Sequence, residues 1–140
     1  MIELDYNNEN ELIQFVEKTK YFDQPLINYK SEFENSRPKV IGIKEFENGN
    51  RNVNPETKII TLLFSQPMNI QSRGFDYGPL GEGNVLGVQK IIGYSDDKKS
   101  FTFEVNLEPE RQYQSIATEN FTDESGLPLH PFLIDFTTSK

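Results

Sequence analysis

The clearest pattern in the chain is the alternation of apolar and polar residues in two late segments. Each has an apolar residue at every second position: Phe101, Phe103, Val105 and Leu107 in the first, and Phe132, Ile134 and Phe136 in the second. Successive side chains of a β-strand point to opposite faces, so a period of two predicts a strand with one buried face. The two segments therefore predict two half-buried strands.

Four further apolar stretches are short enough to be strands and are separated by turn signals. Asn48-Gly49 and Asn54-Pro55 are typical turn sequences, and Pro67 ends one stretch because proline cannot donate to a central ladder. The four stretches cover residues 39–46, 58–64, 88–94 and 111–117. Six or seven short strands with turns between them predict an all-β sandwich over residues 38–140.

The first 37 residues have a different pattern, with apolar residues at helical spacing: Leu12, Phe15, Val16, Thr19 and Phe22. Asn8 with Glu11 resembles a capping pair, and Pro25 disfavours helical geometry in the residue ahead of it. We predict a short helix over residues 9–22. This lead-in is either packed on the sandwich or the tail of a preceding domain, so the predicted regions are 1–37 and 38–140.

The segment from Leu107 to Tyr113 carries the most informative signal for the fold. Leu107 ends one predicted strand, Pro109 turns the chain, and Tyr113 enters the next strand. This spacing is typical of a tyrosine corner, in which the phenol hydroxyl is hydrogen-bonded to backbone a few residues upstream. Tyrosine suits the position because its ring fills the edge of the core while its hydroxyl satisfies a turn group. We predict such a corner, with an ordinary core tyrosine as the alternative.

Together with its surroundings, this segment resembles the bacterial Ig-like domain family of S-layer and other envelope proteins, which also occurs as a terminal module on secreted hydrolases. The matching pieces stand in family order: Pro38 to Val40, Asn48-Gly49, Val53 to Pro55, Ile60 to Met68, Ser100 to Phe103, Leu107 to Tyr113, Asp123, Gly126 to Leu129, and Phe136 to Thr138. The resemblance covers residues 38–139. It leaves out residues 1–37, and the Gly-rich stretch 72–87 does not align.

The resemblance implies an immunoglobulin-like or fibronectin-like sandwich that serves as a spacer, a stabilising module or an adhesive unit. It implies no catalytic residues and no cofactor. The implied setting is extracytoplasmic (periplasmic, cell surface or secreted), with the signal peptide already removed from a longer chain; a cytoplasmic protein is the alternative. The expected partners are a neighbouring domain of the same chain, or a cell-surface protein or glycan.

Charge and composition argue against several other partners. The net charge is -8 and the pI is about 4.7, and the densest basic cluster is only Lys98-Lys99. An acidic chain without a basic stripe repels nucleic-acid phosphates and anionic lipid. No apolar run approaches the roughly 20 residues that span a bilayer, so we expect no direct membrane insertion.

Candidate catalytic groups are few. The chain has no cysteine, and its only histidine is His130, directly before Pro131. Catalysis of the Ser-His-Asp type would need His130, but no Gly-x-Ser-x-Gly elbow is present, so we interpret it as a loop residue. One histidine without cysteine also disfavours a transition-metal site. Acidic residues on sandwich strands lie mainly on solvated faces, which disfavours a glycosidase pair. We therefore predict that the chain is not an enzyme.

Two loops remain as candidates for ligand binding. In one of them, Asp123-Glu-Ser-Gly126 is a natural turn, although its surroundings offer oxygen ligands for calcium. The weak calcium candidates are Asn120, Asp123 and Glu124. The other loop contains Gly78 to Gly83, which lacks the following Lys-Ser/Thr that a phosphate-binding loop needs.

The same Gly-rich stretch carries two aromatic residues, Phe75 and Tyr77. They either stack on a sugar or fill a pocket of a partner, or they fold back onto the core. Two functional hypotheses follow. The first is a non-catalytic structural or interaction module that spaces or stabilises a neighbouring domain. The alternative is a carbohydrate-binding module that uses Phe75 and Tyr77.

Overall fold

Hydrogen-bonded strands dominate the part of the chain that the structure describes. The computed structural model describes residues 33–140, and the chain divides into two units, Met1–Ser36 and Arg37–Lys140. Residues 33–36 are helical and belong to the first unit. The predicted helix over residues 9–22 lies outside the described residues.

The second unit contains seven strands among its described residues. They are β1 (Val40–Ile43), β2 (Ile59–Phe64), β3 (Phe75–Asp76), β4 (Lys90–Tyr94), β5 (Ser100–Glu104), β6 (Gln112–Ala117) and β7 (Phe132–Thr137). A single turn of 3-10 helix, Glu82–Asn84, lies between β3 and β4. The predicted all-β sandwich of about seven strands is confirmed.

The strands form two antiparallel sheets, with the orders β1-β2-β5-β4 and β3-β6-β7. This is the arrangement of strands A, B, E and D in one sheet and C, F and G in the other, as in an immunoglobulin constant-type sandwich. β1 and β2, β4 and β5, and β6 and β7 are consecutive strands that pair within one sheet. The remaining three connections cross between the sheets.

Alternate residues of β2 and β5 build the first sheet's half of the core. Ile60 pairs with Phe103 and Leu62 pairs with Phe101, and all four side chains are fully buried. The residues between them point to the outer face of the sheet. The period of two seen in the sequence thus decides which side chains enter the interior.

The second sheet supplies the facing half of the core. Tyr113 of β6 and Phe136 of β7 are directly paired, and their ring centroids are 5.6 Å apart. Phe121, on the connection after β6, is fully buried and reaches Phe101 of the opposite sheet with a centroid distance of 5.5 Å. The interior therefore contains a cluster of aromatic rings in tilted and edge-on contacts, which such rings prefer.

The turn between β5 and β6 is held by Tyr113. Its hydroxyl accepts a hydrogen bond from the backbone N–H of Glu108 at 2.8 Å, across the turn that contains Pro109. Leu107, where the turn begins, is buried. The hydroxyl of Thr138 donates to the carbonyl of Glu108 at 2.6 Å, so the same turn is also tied to the end of β7.

Candidate functional site

The chain enters and leaves the sandwich at opposite ends of β7. Where it enters, the carbonyl of Pro38 accepts a hydrogen bond from the N–H of His130, shortly before β7 begins. Beyond the other end of β7, the N–H of Ser139 donates to the carbonyl of Val53. β7 has six residues. At a rise of about 3.3 Å per residue, β7 itself spans about 20 Å between these two points.

The chain segment 48–53 runs alongside β7, and we call residues 48–53 together with residues 133–139 the seam. Four backbone hydrogen bonds join its two sides: Gly49 N to Asp135 O at 2.7 Å, Thr137 N to Asn50 O at 2.9 Å, Val53 N to Thr137 O at 3.0 Å, and Ser139 N to Val53 O at 2.8 Å. The partners advance in the same direction on both sides, and Val53 and Thr138 form a parallel bridge. The seam is therefore a parallel pairing of an early segment with the last strand.

Asn48 extends the seam with its side chain. Its Nδ2 donates to the carbonyl of Leu133 at 2.9 Å, and its Oδ1 accepts the N–H of Asp135 at 2.9 Å. The side-chain amide carries the same donor and acceptor as a peptide group. Asn48 thus satisfies two backbone groups on the open edge of β7, a role beyond the turn that its sequence indicates.

A charged pair reinforces the middle of the seam. The guanidinium of Arg51 donates to both carboxylate oxygens of Asp135 at 2.7 and 3.1 Å, and to the hydroxyl of Thr137 at 3.2 Å. Gln112 of β6 donates to the same carboxylate at 2.9 Å. The hydrogen bond from Arg51, with a smaller contribution from Gln112, lowers the pKa of Asp135 to about 2. The pair is therefore charged on both sides at neutral pH.

Sequence reasoning missed Arg51 and Asp135 as partners. They lie 84 residues apart, and no local pattern links them. Asp135 occupies an outward position of an alternating strand, where a charged residue needs no special explanation. Arg51 lies between two turn signals and looks like an ordinary loop residue. Only the pairing of the two segments brings them together.

The structure places the two loop aromatics in different surroundings. Phe75, in β3, packs inward, with its ring centroid 5.3 Å from those of Phe103 and Phe121 and 6.2 Å from that of Phe101. Tyr77 is 47% exposed. Phe75 therefore packs against the hydrophobic core. The carbohydrate-binding hypothesis stays a prediction that depends on Tyr77.

The Gly-rich loop after Tyr77 lies against β6. The backbone N–H of Leu80 donates to the side-chain carbonyl of Gln114 at 3.0 Å. At Gly78, an added Cβ would lie 2.9 Å from Cβ of Gln114 and 3.0 Å from Cδ1 of Leu133, so this close approach requires glycine. The loop is thereby held with Tyr77 and Leu80 each about half exposed.

Tyr94 of β4 holds the start of the Gly-rich stretch in place at Ser72. Its ring lies 4.9 Å from that of Phe101, and its hydroxyl donates to the carbonyl of Ser72 at 2.6 Å. Burial raises the pKa of Tyr94 to about 12, and the positive charge of Arg73 opposes the rise. The phenol therefore remains a neutral hydrogen-bond donor at physiological pH and anchors the loop to the first sheet.

Asp123 is buried and organises the turn that follows β6. Its Oδ1 accepts the N–H groups of Ser125 and Leu127, both at 2.9 Å, and its Oδ2 accepts the side-chain amide of Gln66 at 2.8 Å. Both of its carboxylate oxygens thus accept hydrogen bonds from within the protein. Calcium binding stays an untested prediction for its three weak candidates: Asn120, Asp123 and Glu124.

The structure locates His130, the single histidine of the chain. His130 lies in the connection before β7, with its backbone N–H bound to Pro38. Within residues 33–140, no three His, Cys, Asp or Glu side chains are grouped so that they could hold a metal ion. In the same range, no helix has the length and apolar character needed to cross a membrane.

Comparisons with known proteins give similarities to solved structures. No family model and no curated protein matches the sequence. Among solved structures, the chain is similar to domains 1–6 of the surface layer protein SbsC, with a TM-score of 0.49 and 16% identity over 94% of this chain and 18% of that one. It is also similar to the N-terminal part of the bacterial S-layer protein SbsC, with a TM-score of 0.49 and 14% identity over 94% of this chain and 32% of that one. This chain thus spans less than a third of the length of either structure.

Proposed function

We propose that the sandwich is a non-catalytic structural module of a secreted or envelope bacterial protein, which spaces or stabilises a neighbouring domain. The neighbour would be another domain of the same chain, or a cell-surface protein or glycan. The single observation that carries the proposal is the position of the two points at which the chain enters and leaves the sandwich. Pro38 and Ser139 lie at opposite ends of β7.

Entry and exit points at opposite poles of the sandwich suit a spacing role. Whatever is joined before Pro38 is held apart from whatever follows Ser139 by the length of the sandwich. A folded domain of about 100 residues has a radius of gyration near 13 Å, which corresponds to a body roughly 35 Å across. A Gly/Ser chain of similar length has a larger but widely varying end-to-end distance of about 55 Å. A rigid module therefore defines the spacing, whereas a linker does not.

Two features support the immunoglobulin-like part of the proposal. The strand orders match those of the constant-type sandwich. The hydrogen bond from Glu108 N–H to the Tyr113 hydroxyl has the position of a tyrosine corner, at the start of the strand that corresponds to F. Domains of this architecture often act as rigid building units, and the assignment of a role by that analogy is part of the proposal.

A distance measurement tests the spacing role. The chain has no cysteine, so Lys39→Cys and Lys140→Cys provide two unique labelling sites at exposed positions. Spin labels at these sites, measured by pulsed electron resonance, should give one narrow distance distribution that does not change when folded domains are fused to both ends. Cysteines at Glu110 and Lys140, which lie at the same pole, are the matched control and should give a much shorter distance.

A broad distribution between residues 39 and 140, or one that collapses when neighbours are attached, would contradict the spacing role. A glycan array with the Tyr77→Ala variant addresses the carbohydrate alternative. Retained glycan binding in that variant would exclude Tyr77 as its basis.

A further inference from the structure

The dipeptide Asn48-Gly49 is chemically labile, and it lies at the end of the seam where the chain first meets β7. It is the one Asn-Gly sequence in the chain. The nitrogen of a residue that follows asparagine can attack the side-chain amide, and glycine has no side chain to hinder the approach. Asn106 is more exposed than Asn48 but precedes Leu107, whose side chain hinders the same attack.

The reaction of this dipeptide is a self-deamidation. The backbone nitrogen of Gly49 forms a bond to Cγ of Asn48, the Cγ–Nδ2 bond breaks, and ammonia leaves with the proton lost by Gly49. The product is a cyclic succinimide. Water then opens the ring at either carbonyl. One opening leaves an aspartate at position 48, and the other leaves an isoaspartate, in which the backbone runs through the former Cβ and Cγ.

The fold holds both reacting groups in hydrogen bonds to β7. The N–H of Gly49 donates to the carbonyl of Asp135 at 2.7 Å, and Nδ2 of Asn48 donates to the carbonyl of Leu133 at 2.9 Å. The succinimide nitrogen carries no hydrogen, and the ring has lost Nδ2. Neither hydrogen bond can therefore exist once the ring has closed, so this end of the seam must open for the reaction to occur.

Opening at this end can be a local event. Gly49 is exposed and Asn48 is half-buried, whereas the neighbouring Phe136 of β7 is fully buried in the core. Hydrogen bonds at an exposed edge open more often than those of a buried core. Water and hydroxide ion can therefore reach the dipeptide when the end of the seam opens, while the aromatic core stays closed.

We propose that Asn48 is a deamidation site controlled by the fold: the closed seam suppresses the reaction, and local opening of the seam permits it. The substrate is the side-chain amide of the chain itself, and water is the only co-reactant. This property goes beyond the proposed spacing role and does not depend on it.

Neither product restores the hydrogen bonds of Asn48. A carboxylate at position 48 can still accept the N–H of Asp135, but it has no hydrogen to donate to the carbonyl of Leu133. That carbonyl then faces another acceptor in place of its donor, which is unfavourable. An isoaspartate adds a carbon to the backbone, so Gly49 is displaced from its partner on β7. Deamidation is therefore irreversible and leaves this end of the seam weakened.

Peptide-mapping mass spectrometry of the full chain measures the conversion of each asparagine. Incubation at mildly alkaline pH, with and without enough urea to unfold the chain, compares the unfolded and folded states. We expect Asn48 to convert at least about tenfold more slowly in the folded chain, because the reaction must wait for opening. In the unfolded chain, Asn48 should convert faster than Asn106. Equal rates for Asn48 in the two states would overturn the proposal, as would equal rates for the two asparagines in urea.

A matched pair of arginine variants separates local opening from unfolding of the whole domain. Arg51→Ala removes the ion pair to Asp135 within the seam. Arg111→Ala removes an ion pair of the same 2.7 Å length to Glu108, outside the seam. In the folded chain, we expect Arg51→Ala to convert Asn48 roughly three- to tenfold faster than the unmodified chain does, and Arg111→Ala to differ by less than about twofold. Equal acceleration by both variants would show that the reaction follows global unfolding and would overturn control by the seam.

A second pair of variants tests the effect of the product. Asn48→Asp reproduces one product directly, and Asn50→Asp adds the same charge two positions away. The side chain of Asn50 accepts the N–H of Asn52 at 2.8 Å, a role that a carboxylate retains. We expect amide hydrogen exchange at Gly49 to be at least about tenfold faster in Asn48→Asp than in Asn50→Asp. Equal exchange in the two variants would contradict the weakening of the seam by deamidation.

Discussion

The inward position of Phe75 can be tested by truncating its side chain. Phe75→Ala removes a ring that contacts the rings of Phe101, Phe103 and Phe121. Tyr77→Ala removes a neighbouring aromatic ring that is about half exposed. If both aromatics formed a ligand-binding surface, the two substitutions would affect stability similarly.

The expected cost of Phe75→Ala follows from its surroundings. Truncation of a fully buried phenylalanine costs about 3–5 kcal/mol, through lost transfer free energy and the cavity left behind. Phe75 is only partly buried and lies at the margin of the aromatic cluster, so part of the cavity can fill with water. Its three ring contacts still contribute about 0.5–1.5 kcal/mol each beyond the buried area. We therefore expect a loss of about 2–3 kcal/mol for Phe75→Ala and within about 0.5 kcal/mol for Tyr77→Ala.

Urea unfolding followed by far-ultraviolet circular dichroism measures both losses. The chain contains no tryptophan, so circular dichroism or tyrosine fluorescence must replace tryptophan emission. Phe75→Leu should lose about half as much as Phe75→Ala and provides a readable midpoint if the alanine variant is too unstable. Losses of similar size for Phe75→Ala and Tyr77→Ala would refute the reasoning, because a ring packed against three core rings should contribute more to stability than a half-exposed ring.

Three further predictions concern pH and backbone packing. Because the pKa of Asp135 is about 2 in the fold, we expect its contribution of about 1–2 kcal/mol to be complete above pH 4 or so and lost as pH falls towards 2. Urea midpoints across that range should show this loss, and Arg51→Ala should reduce it. The raised pKa of Tyr94 works in the opposite direction, so its contribution is complete below pH 10 or so and lost as pH rises through about 12. Tyr94→Phe should remove this loss of stability at alkaline pH, at a cost of about 1 kcal/mol at neutral pH. Thermal melts at neutral and at alkaline pH measure both effects. Gly74→Ala should cost about 1–3 kcal/mol because its Cβ would lie 2.6 Å from Cβ of Asn120, whereas Gly83→Ala, in open space, should change urea stability by less than about 0.5 kcal/mol.

Much of the fold was predictable because strands with one buried face leave a local signature. The alternation around Phe101 and Phe103 predicted β5, and the alternation around Phe132 to Phe136 predicted β7. The segment from Leu107 to Tyr113 predicted a turn and the start of a strand, as found. β3 was not predicted, since a strand of two residues in a Gly-rich stretch has too few positions to show a period.

The candidate site was far less accessible from the sequence. Asn48-Gly49 was recognised as a turn, but the hydrogen bonds of Asn48 to β7 depend on residues more than 80 positions away. The different surroundings of Phe75 and Tyr77 also lie beyond local patterns. Two aromatics separated by one residue share a face of an ideal strand, but the strand ends at Asp76 and the chain turns away.

The sequence by itself determined the strands and the faces that they bury, because side-chain periodicity acts between residues close along the chain. It also determined that the chain has no cysteine and a single histidine, since residue types alone decide this. Only the tertiary structure decided that segment 48–53 pairs in parallel with β7 and that Arg51 meets Asp135. Such pairing depends on the register and packing of two whole sheets, to which every core residue contributes and which no short segment encodes.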